Sequence, residues 1–219
     1  MSTVAQWALA AGLLGALYSS AALLLGVPAR FLVWGSVGHF SLVIVSLALG
    51  IHTGAGLEAA FLLLVGLLLG NTLAWLGWKA LRGAAKSADL APARGQGRRI
   101  PLAGVAFVFG ALASAGAPGS PGFFGRVMLF LAAAKVGGAA AWLAAAMCAV
   151  HSLVWVFACA TAARVAFLEP RGARSVRQPE AGYRVMALAL AGAILLAGLA
   201  PGPLMAVARR IAKVASIPA

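Results

Sequence analysis

Five apolar runs, 4–25, 31–51, 57–78, 139–163 and 183–208, dominate this sequence, and each is long enough for one bilayer crossing. A spanning helix needs about 20 mostly apolar residues, and lipid offers no partners to a backbone that is not helical. The chain therefore reads as an all-α integral membrane protein, a single membrane domain over 1–219. With 63% of residues hydrophobic and 10% charged, no large soluble domain fits between the runs. The first run opens on "MSTVAQW", without the basic start of a secretory signal, and is expected to stay as a span.

A sixth region, 100–137, is too long for one crossing, since 38 residues of helix reach about 57 Å. Within it lies "GAPGSPGFFGRVMLF", in which Gly116, Pro118, Gly119, Pro121 and Gly122 require a non-helical turn. Each proline removes a backbone donor and the glycines accept dihedrals closed to other residues. Two arrangements satisfy this: one crossing broken into halves, or two full spans.

Charge placement separates them weakly. With one broken span, about six transmembrane helices result. Arg30, the loop 79–99 (Lys79, Arg82, Lys86, Arg94, Arg98, Arg99) and the loop 164–184 (Arg164, Arg171, Arg174, Arg177, Arg184) then share one face. Lys135, Arg209, Arg210 and Lys213 remain on the other, a partition of twelve against four. Two full spans give eleven against five. The positive-inside rule therefore favours six crossings, with both basic loops cytoplasmic and the termini outside. The 17 Lys and Arg against 4 Asp and Glu mark a membrane face rather than a nucleic-acid surface, because the charges sit between spans. Segment 203–213 reads as the end of the last span, with snorkelling basic side chains, rather than as a separate helix.

Ionisable groups at membrane depth are costly and mark functional positions. Arg126 comes closely after the Pro/Gly stretch. It lies near mid-depth if the span is broken, and snorkels at a span end if it is not. Because guanidinium stays protonated, it can set a field but is a poor proton relay. His39 is the best titrating candidate, with interhelical hydrogen bonding as its structural alternative. Asn71, His151 and Ser152 complete the set of ion-path candidates, and Tyr18, Ser19 and Ser20 cluster in the first run. The glycines of "GLLLG", 66–70, share one helical face and permit close helix contact.

No nucleophile with its base, phosphate-binding glycine loop, carboxylate pair or cofactor fingerprint stands out. Cys148 and Cys159 lack metal-ligand spacing and read as small packing residues, so no metal site is expected.

Several segments resemble the antiporter-like membrane subunits of respiratory complex I, the NADH:quinone oxidoreductase. "PARFLVWGSVGHFSLV" resembles that family's "KRLLAYSSIAHMGY", with Arg30, Leu32, Ser36 and His39 in register. "GAPGSPGFFGRVMLF" resembles "GIPPTAGFFGKFLLF", matching at Gly116, Pro118, Gly122, Phe123, Phe124 and Gly125. "EAAFLLLVGLLLGN" is similar to the intervening helix and "LAGLAPGPLMAVA" to the closing one, and the best match is to the chain N type, equivalent to mitochondrial subunit 2. The resemblance implies the second of two inverted five-helix repeats plus the closing helix, the C-terminal half of the antiporter-like fold. In that fold the Pro/Gly stretch is the broken helix of a half-channel.

The same resemblance implies a membrane-arm subunit contributing to proton or sodium translocation, or to the structure of the arm. The chain would be an enzyme only as one subunit of the oxidoreductase. Its partners would be other membrane subunits and the lipid bilayer, with flavin and iron–sulfur clusters on partner subunits and no cofactor on this chain. An Mrp-type cation/proton antiporter, a membrane-bound hydrogenase or a non-pumping scaffold shares the same helices, and an independent small transporter is a further class. Departures bear on pumping: the lysine after the break is Arg126, the lysine before the matched arginine is Ala29, and polar positions of the third helix are Leu63, Leu67 and Asn71.

Overall fold

The computed structural model describes residues 3–24, 31–83, 93–170 and 179–215, so Arg30, Ala29, Lys86, Arg171, Arg174 and Arg177 lie outside the described residues. The helices are α1 (Thr3–Leu24), α2 (Phe31–Gly50), α3 (Gly54–Arg82), α4 (Pro101–Ser114), α5 (Pro121–Val136), α6 (Gly138–Phe167), α7 (Ala181–Leu199) and α8 (Gly202–Ala215). One 3-10 turn, Gln96–Arg98, precedes α4, and there is no strand among the described residues. Helices α1, α2, α3, α6 and α7 are each long and apolar enough to cross a membrane.

Neither α4 nor α5 spans a bilayer alone, at about 21 and 24 Å, but together they form one crossing. Their packing on α3 shows it. A Cβ on Gly77 would meet the Phe107 and Ala103 backbone, and one on Gly70 would meet Ser114 N at 2.6 Å. A Cβ on Gly66 would meet Gly122 N at 2.6 Å, and one on Gly125 would meet Leu63 N at 2.7 Å. As the chain ascends through α4 and α5, its partners descend steadily along α3. The two halves therefore run in one direction beside a single antiparallel helix, and Gly66 and Gly70 are where backbones touch.

The loops agree. Gly95 N donates to Val165 O at 3.0 Å and Arg98 Nε donates to Phe167 O. Glu169 bridges Arg94 at 3.0 Å and Arg164 at 3.3 Å. The segments before α4 and after α6 thus lie at the same end of the bundle, which two full spans in 100–137 would forbid.

The last span differs from expectation. A single run over 183–208 was expected, with 203–213 as its terminus, whereas α7 stops at Leu199 and a separate α8 runs from Gly202 to Ala215. Pro201 is the reason: it lacks an N–H and forces its predecessor out of the helical region, and Ala200 has φ −121 and ψ 68. Ala208 and Ala212 on α8 are buried, and Ala212 lies beside Gly54 at the start of α3.

The interior is built mainly from Ala, Gly and Leu, so helices approach closely. Larger side chains fill the end near α4: Phe31 stacks on Trp155 with centroids 4.4 Å apart, and Phe107 sits 5.7 Å from Trp78. Cys148 and Cys159 are buried free thiols within this packing.

Candidate functional site

The site begins with how α4 ends. Gly116 N donates to Ala113 O at 3.1 Å and Ala117 N to Leu112 O at 3.0 Å, with Gly116 at φ +75. This is a Schellman C-cap, which needs a residue tolerant of the left-handed region at that place. The chain then turns through Pro118 and Gly119, the latter at φ +84, closed by Ser120 N to Ala117 O at 3.1 Å. Proline at the second position and glycine at the third are the signature of a type II turn. Pro121 restarts the helix at a position where a missing N–H costs nothing. Ser120 donates its hydroxyl back to Ala113 O at 3.1 Å and Ala117 O at 2.8 Å, tying the new helix to the old one.

This turn places Arg126 against the end of α4. Its side chain is only 6% exposed. Nε donates to Ser152 Oγ at 2.8 Å, Nη1 to Ser114 O and Gly122 O at 3.4 Å each, and Nη2 to Ser114 O at 3.5 Å. The guanidinium thus covers a carbonyl that the ending helix leaves without an intrahelical donor, at the negative end of its dipole. Of the two placements expected for Arg126, the geometry shows the one beside the break within a crossing. Ser152 donates onward to Cys148 O at 2.7 Å. A Cβ on Gly116 would collide with Arg126 Nη1, so glycine there serves both the turn and the side chain.

His39 and His151 form a second group on α2 and α6. Their rings meet edge to face with centroids 5.1 Å apart, and Trp155 stands 5.2 Å from His39. His39 Nδ1 is 2.6 Å from Gly35 O, and His151 Nδ1 is 3.0 Å from Ser20 Oγ on α1. Both Nε2 atoms are buried with no hydrogen-bond partner in the protein. Gly38 makes room for this pair, since a Cβ there would strike His151 and Ser19 Oγ.

Asn71 stands apart from these two groups. Its Nδ2 donates to Ser36 Oγ at 2.6 Å, and Ser36 precedes His39 by one helical turn on α2. The pair lines a lateral groove of about 670 Å³ between α2 and α3, with Phe40 and Trp75. A second groove of about 610 Å³ has Arg126 and Ser152 in its wall, among Leu112, Phe123 and Phe130. Tyr18 is exposed and packs on Trp34, away from the histidines.

Sequence reasoning brought His39, His151, Ser152 and Arg126 forward, and the fold joins Arg126 to Ser152 at the break and pairs His39 with His151. It missed Ser114, whose carbonyl receives Arg126, and Trp155, whose Nε1 donates to Ala111 O at 2.8 Å. Trp155 carried a signal: it lies four residues after His151 and so shares its helix face.

A family of transmembrane segments described as NADH:quinone oxidoreductase/Mrp antiporter matches residues 1–152. NADH-quinone oxidoreductase subunit N 2 of Sorangium cellulosum is 29% identical over 179 residues, which are 80% of this chain and 34% of that protein. Subunit N of Granulibacter bethesdensis is 27% identical over 188 residues, 84% of this chain and 38% of that one. The chain thus spans 34% to 38% of the length of these curated relatives. Respiratory complex I from Thermus thermophilus superposes with a TM-score of 0.73 at 23% identity, covering 95% of this chain and 44% of that one. An archaeal membrane-bound sulfane sulfur reductase gives 0.75 at 19% identity, covering 96% and 42%, and the Mrp complex from Dietzia gives 0.71 at 21%, covering 91% and 46%. At such identities the solved structures establish the fold, an antiporter-like helical bundle with one broken crossing. Together with the match over residues 1–152, this means that the chain belongs to the NADH:quinone oxidoreductase/Mrp antiporter transmembrane family.

Proposed function

We infer that this chain is a subunit N type component of the membrane arm of a complex I-like oxidoreductase, and that it contributes a proton path through the arm. The observation that carries the reading is the buried Arg126, bonded inside a broken crossing to the end of α4 and to Ser152, which follows His151 of the His39–His151 pair on α6. Irregular backbone at membrane depth is tolerated where it is buried in protein or lines a water-filled cavity. Arg126 holds a fixed positive charge there, and the imidazoles are the groups able to take up and release protons. Their two unpartnered Nε2 atoms are the places where such a path would hydrate.

Redox chemistry, with flavin and iron–sulfur clusters, belongs in this reading to partner subunits, and the chain itself binds lipid and neighbouring membrane subunits. The basic loops face the cytoplasm of a bacterial cell and the opposite ends of the spans face outward. A second reading is a scaffold subunit that seals the arm. It is favoured by Leu63 and Leu67, buried apolar side chains of α3 at positions that are polar in the resembled family. The likeness to an Mrp complex supports a cation/proton antiporter as the alternative host.

The test is to isolate the chain with its native partners from membranes, identify them by mass spectrometry, and reconstitute the assembly in vesicles. Co-purification with quinone-reductase subunits, together with proton uptake that falls in His39→Leu and Arg126→Gln, is the expected result. Full uptake by an assembled variant sinks the path, and isolation with antiporter or hydrogenase subunits moves the host.

A further inference from the structure

The lateral groove between α2 and α3 has no part in the path through Arg126 and the histidines. The two helices touch at their shared turn, where a Cβ on Gly56 would strike the Gly50 backbone. The groove, about 670 Å³, lies in the other half of the pair, between residues 36–41 and 67–75. Phe40, Leu68 and Trp75 are exposed apolar side chains in its walls. Thr72 and Trp75 also line a smaller cleft of about 240 Å³ that continues along α3 to Lys79 and Arg82. The two cavities therefore adjoin as one track along α3, apolar inside and basic at its mouth.

The track has the length of one leaflet. Residues 67–82 of helix rise about 22 Å, half of a bilayer that measures about 40–45 Å with its headgroups. Lys79 and Arg82 stand one turn apart at the end of α3, Lys79 exposed and Arg82 with its Nε buried and without a hydrogen-bond partner. Neither makes an ion pair with a described residue. Glu169, at this end, is taken by Arg94 and Arg164, and Glu180, at the start of α7, pairs with no described cation. Asp89 lies outside the described residues, but the loops 79–99 and 164–184 hold eleven Lys and Arg against these three acids. Counter-charge from within the chain therefore runs short at this end. Two full charges also outweigh the negative helix-dipole end of α3, equivalent to about half a charge.

We propose that this track is a site for an acidic phospholipid, with the phosphate on Lys79 and Arg82 and an acyl chain running along Trp75, Thr72 and Leu68 toward Phe40. Length and charge together select the occupant. A transmembrane partner helix would cross both leaflets, whereas the groove stops at Leu67, and a neutral lipid would leave the basic mouth without an anion. The site is separate from the Arg126 and histidine groups, so its test reads bound lipid rather than transport.

The protein, in its native assembly in mild detergent, is delipidated and given phosphatidylglycerol carrying a photoactivatable diazirine in its acyl chain, and labelled peptides are mapped by mass spectrometry. Label is expected on residues 36–41 and 67–75, displaced by unlabelled phosphatidylglycerol and not by phosphatidylcholine or inorganic phosphate. Affinity is expected to fall about fivefold for each charge removed in K79Q, R82Q and K79Q/R82Q, and to stay at the parent level in K79R. Thr72→Trp, which fills the track and leaves its charge alone, should lower labelling as well. R164Q, which removes a charge at the same end but off the track, should leave labelling unchanged. Equal displacement by phosphatidylcholine, unchanged labelling in K79Q/R82Q, or an equal loss in R164Q overturns the proposal. So does a groove that takes no label while a cross-linker at position 75 captures another subunit, which would make it a protein interface. If K79Q/R82Q does not assemble, the parent decides: displacement by phosphatidylglycerol alone supports the site, and displacement by either lipid overturns it.

Discussion

At the scale of single residues, the chain replaces the lysine found in the resembled motif with an arginine whose charge cannot be titrated away. Arg126 is held by groups from three helices, so its removal strands partners. Arg126→Leu leaves the Ser114 carbonyl and the Ser152 hydroxyl without their donor, and is expected to lower stability by about 1–3 kcal/mol. The measurement is the thermal midpoint of the purified assembly, with Arg126→Lys intermediate because an ammonium lacks the guanidinium fork. His39 is a different case. Its ring is buried with one nitrogen bonded to Gly35 O and the other unpartnered, so His39→Leu removes as many unmet needs as contacts. Stability should change by less than about 1 kcal/mol while proton uptake falls, and equal loss of both would assign His39 a packing role. Arg126, His39 and His151 were legible because ionisable side chains in apolar runs are conspicuous. Their mutual contacts were not, since Arg126 and Ser152 are 26 residues apart and Ser20 and His151 are 131 apart.

At the scale of elements, the broken crossing is a sequence of standard devices: a Schellman cap at Gly116, a Pro118–Gly119 turn and a proline restart at Pro121. Two neighbours lock it. The Gly66 position of α3 meets the Gly122 backbone, and a Cβ on Gly198 of α7 would collide with the Gly119 carbonyl. Gly116→Ala places a Cβ in the left-handed region and against Arg126, and is expected to cost about 1–2 kcal/mol from the backbone alone. Gly66→Leu forces α3 away from the restart, an overpacking of about 1–3 kcal/mol or more. Both effects should appear as a lowered thermal midpoint, and Gly182→Ala on α7, with nothing within 4 Å of its Cβ, serves as the neutral control. The Pro/Gly stretch at 116–122 announces its break, whereas Pro201, which ends α7, looks in the sequence like a feature inside one span. Apolar residues continue on both sides of Pro201, and only backbone geometry reveals that Ala200 has left the helix.

At the scale of the whole molecule, the single antiparallel track of α4 and α5 along α3 fixes six crossings, and the Arg94–Glu169–Arg164 cluster joins the two basic loops at one end. A membrane-impermeant thiol reagent is expected to reach Arg94→Cys and Arg164→Cys from the same side of sealed vesicles, since the two side chains are 58% and 60% exposed. Labelling from opposite sides would contradict the six-crossing bundle. Under the positive-inside reading that shared side is cytoplasmic, so right-side-out vesicles should protect both positions. The two ion pairs contribute little to stability, because both arginines are largely exposed and such pairs are worth at most about 1 kcal/mol each. They report topology without sustaining it.

The order of residues alone sets the class of structure, because the length and apolarity of each run leave helices as the only solution in lipid. It also sets where the fourth crossing breaks, because proline and glycine act through local dihedrals that no tertiary contact has to supply. What the break brings together is a matter of packing. The alignment of Ser114, Arg126 and Ser152, the meeting of His39 with His151 and Ser20, and the separate course of α8 depend on how helices distant in the chain pack. Small residues set those approaches by what they lack, a Cβ at Gly38, Gly66, Gly70 and Gly198, and such absences acquire meaning only when a neighbouring helix fills the space.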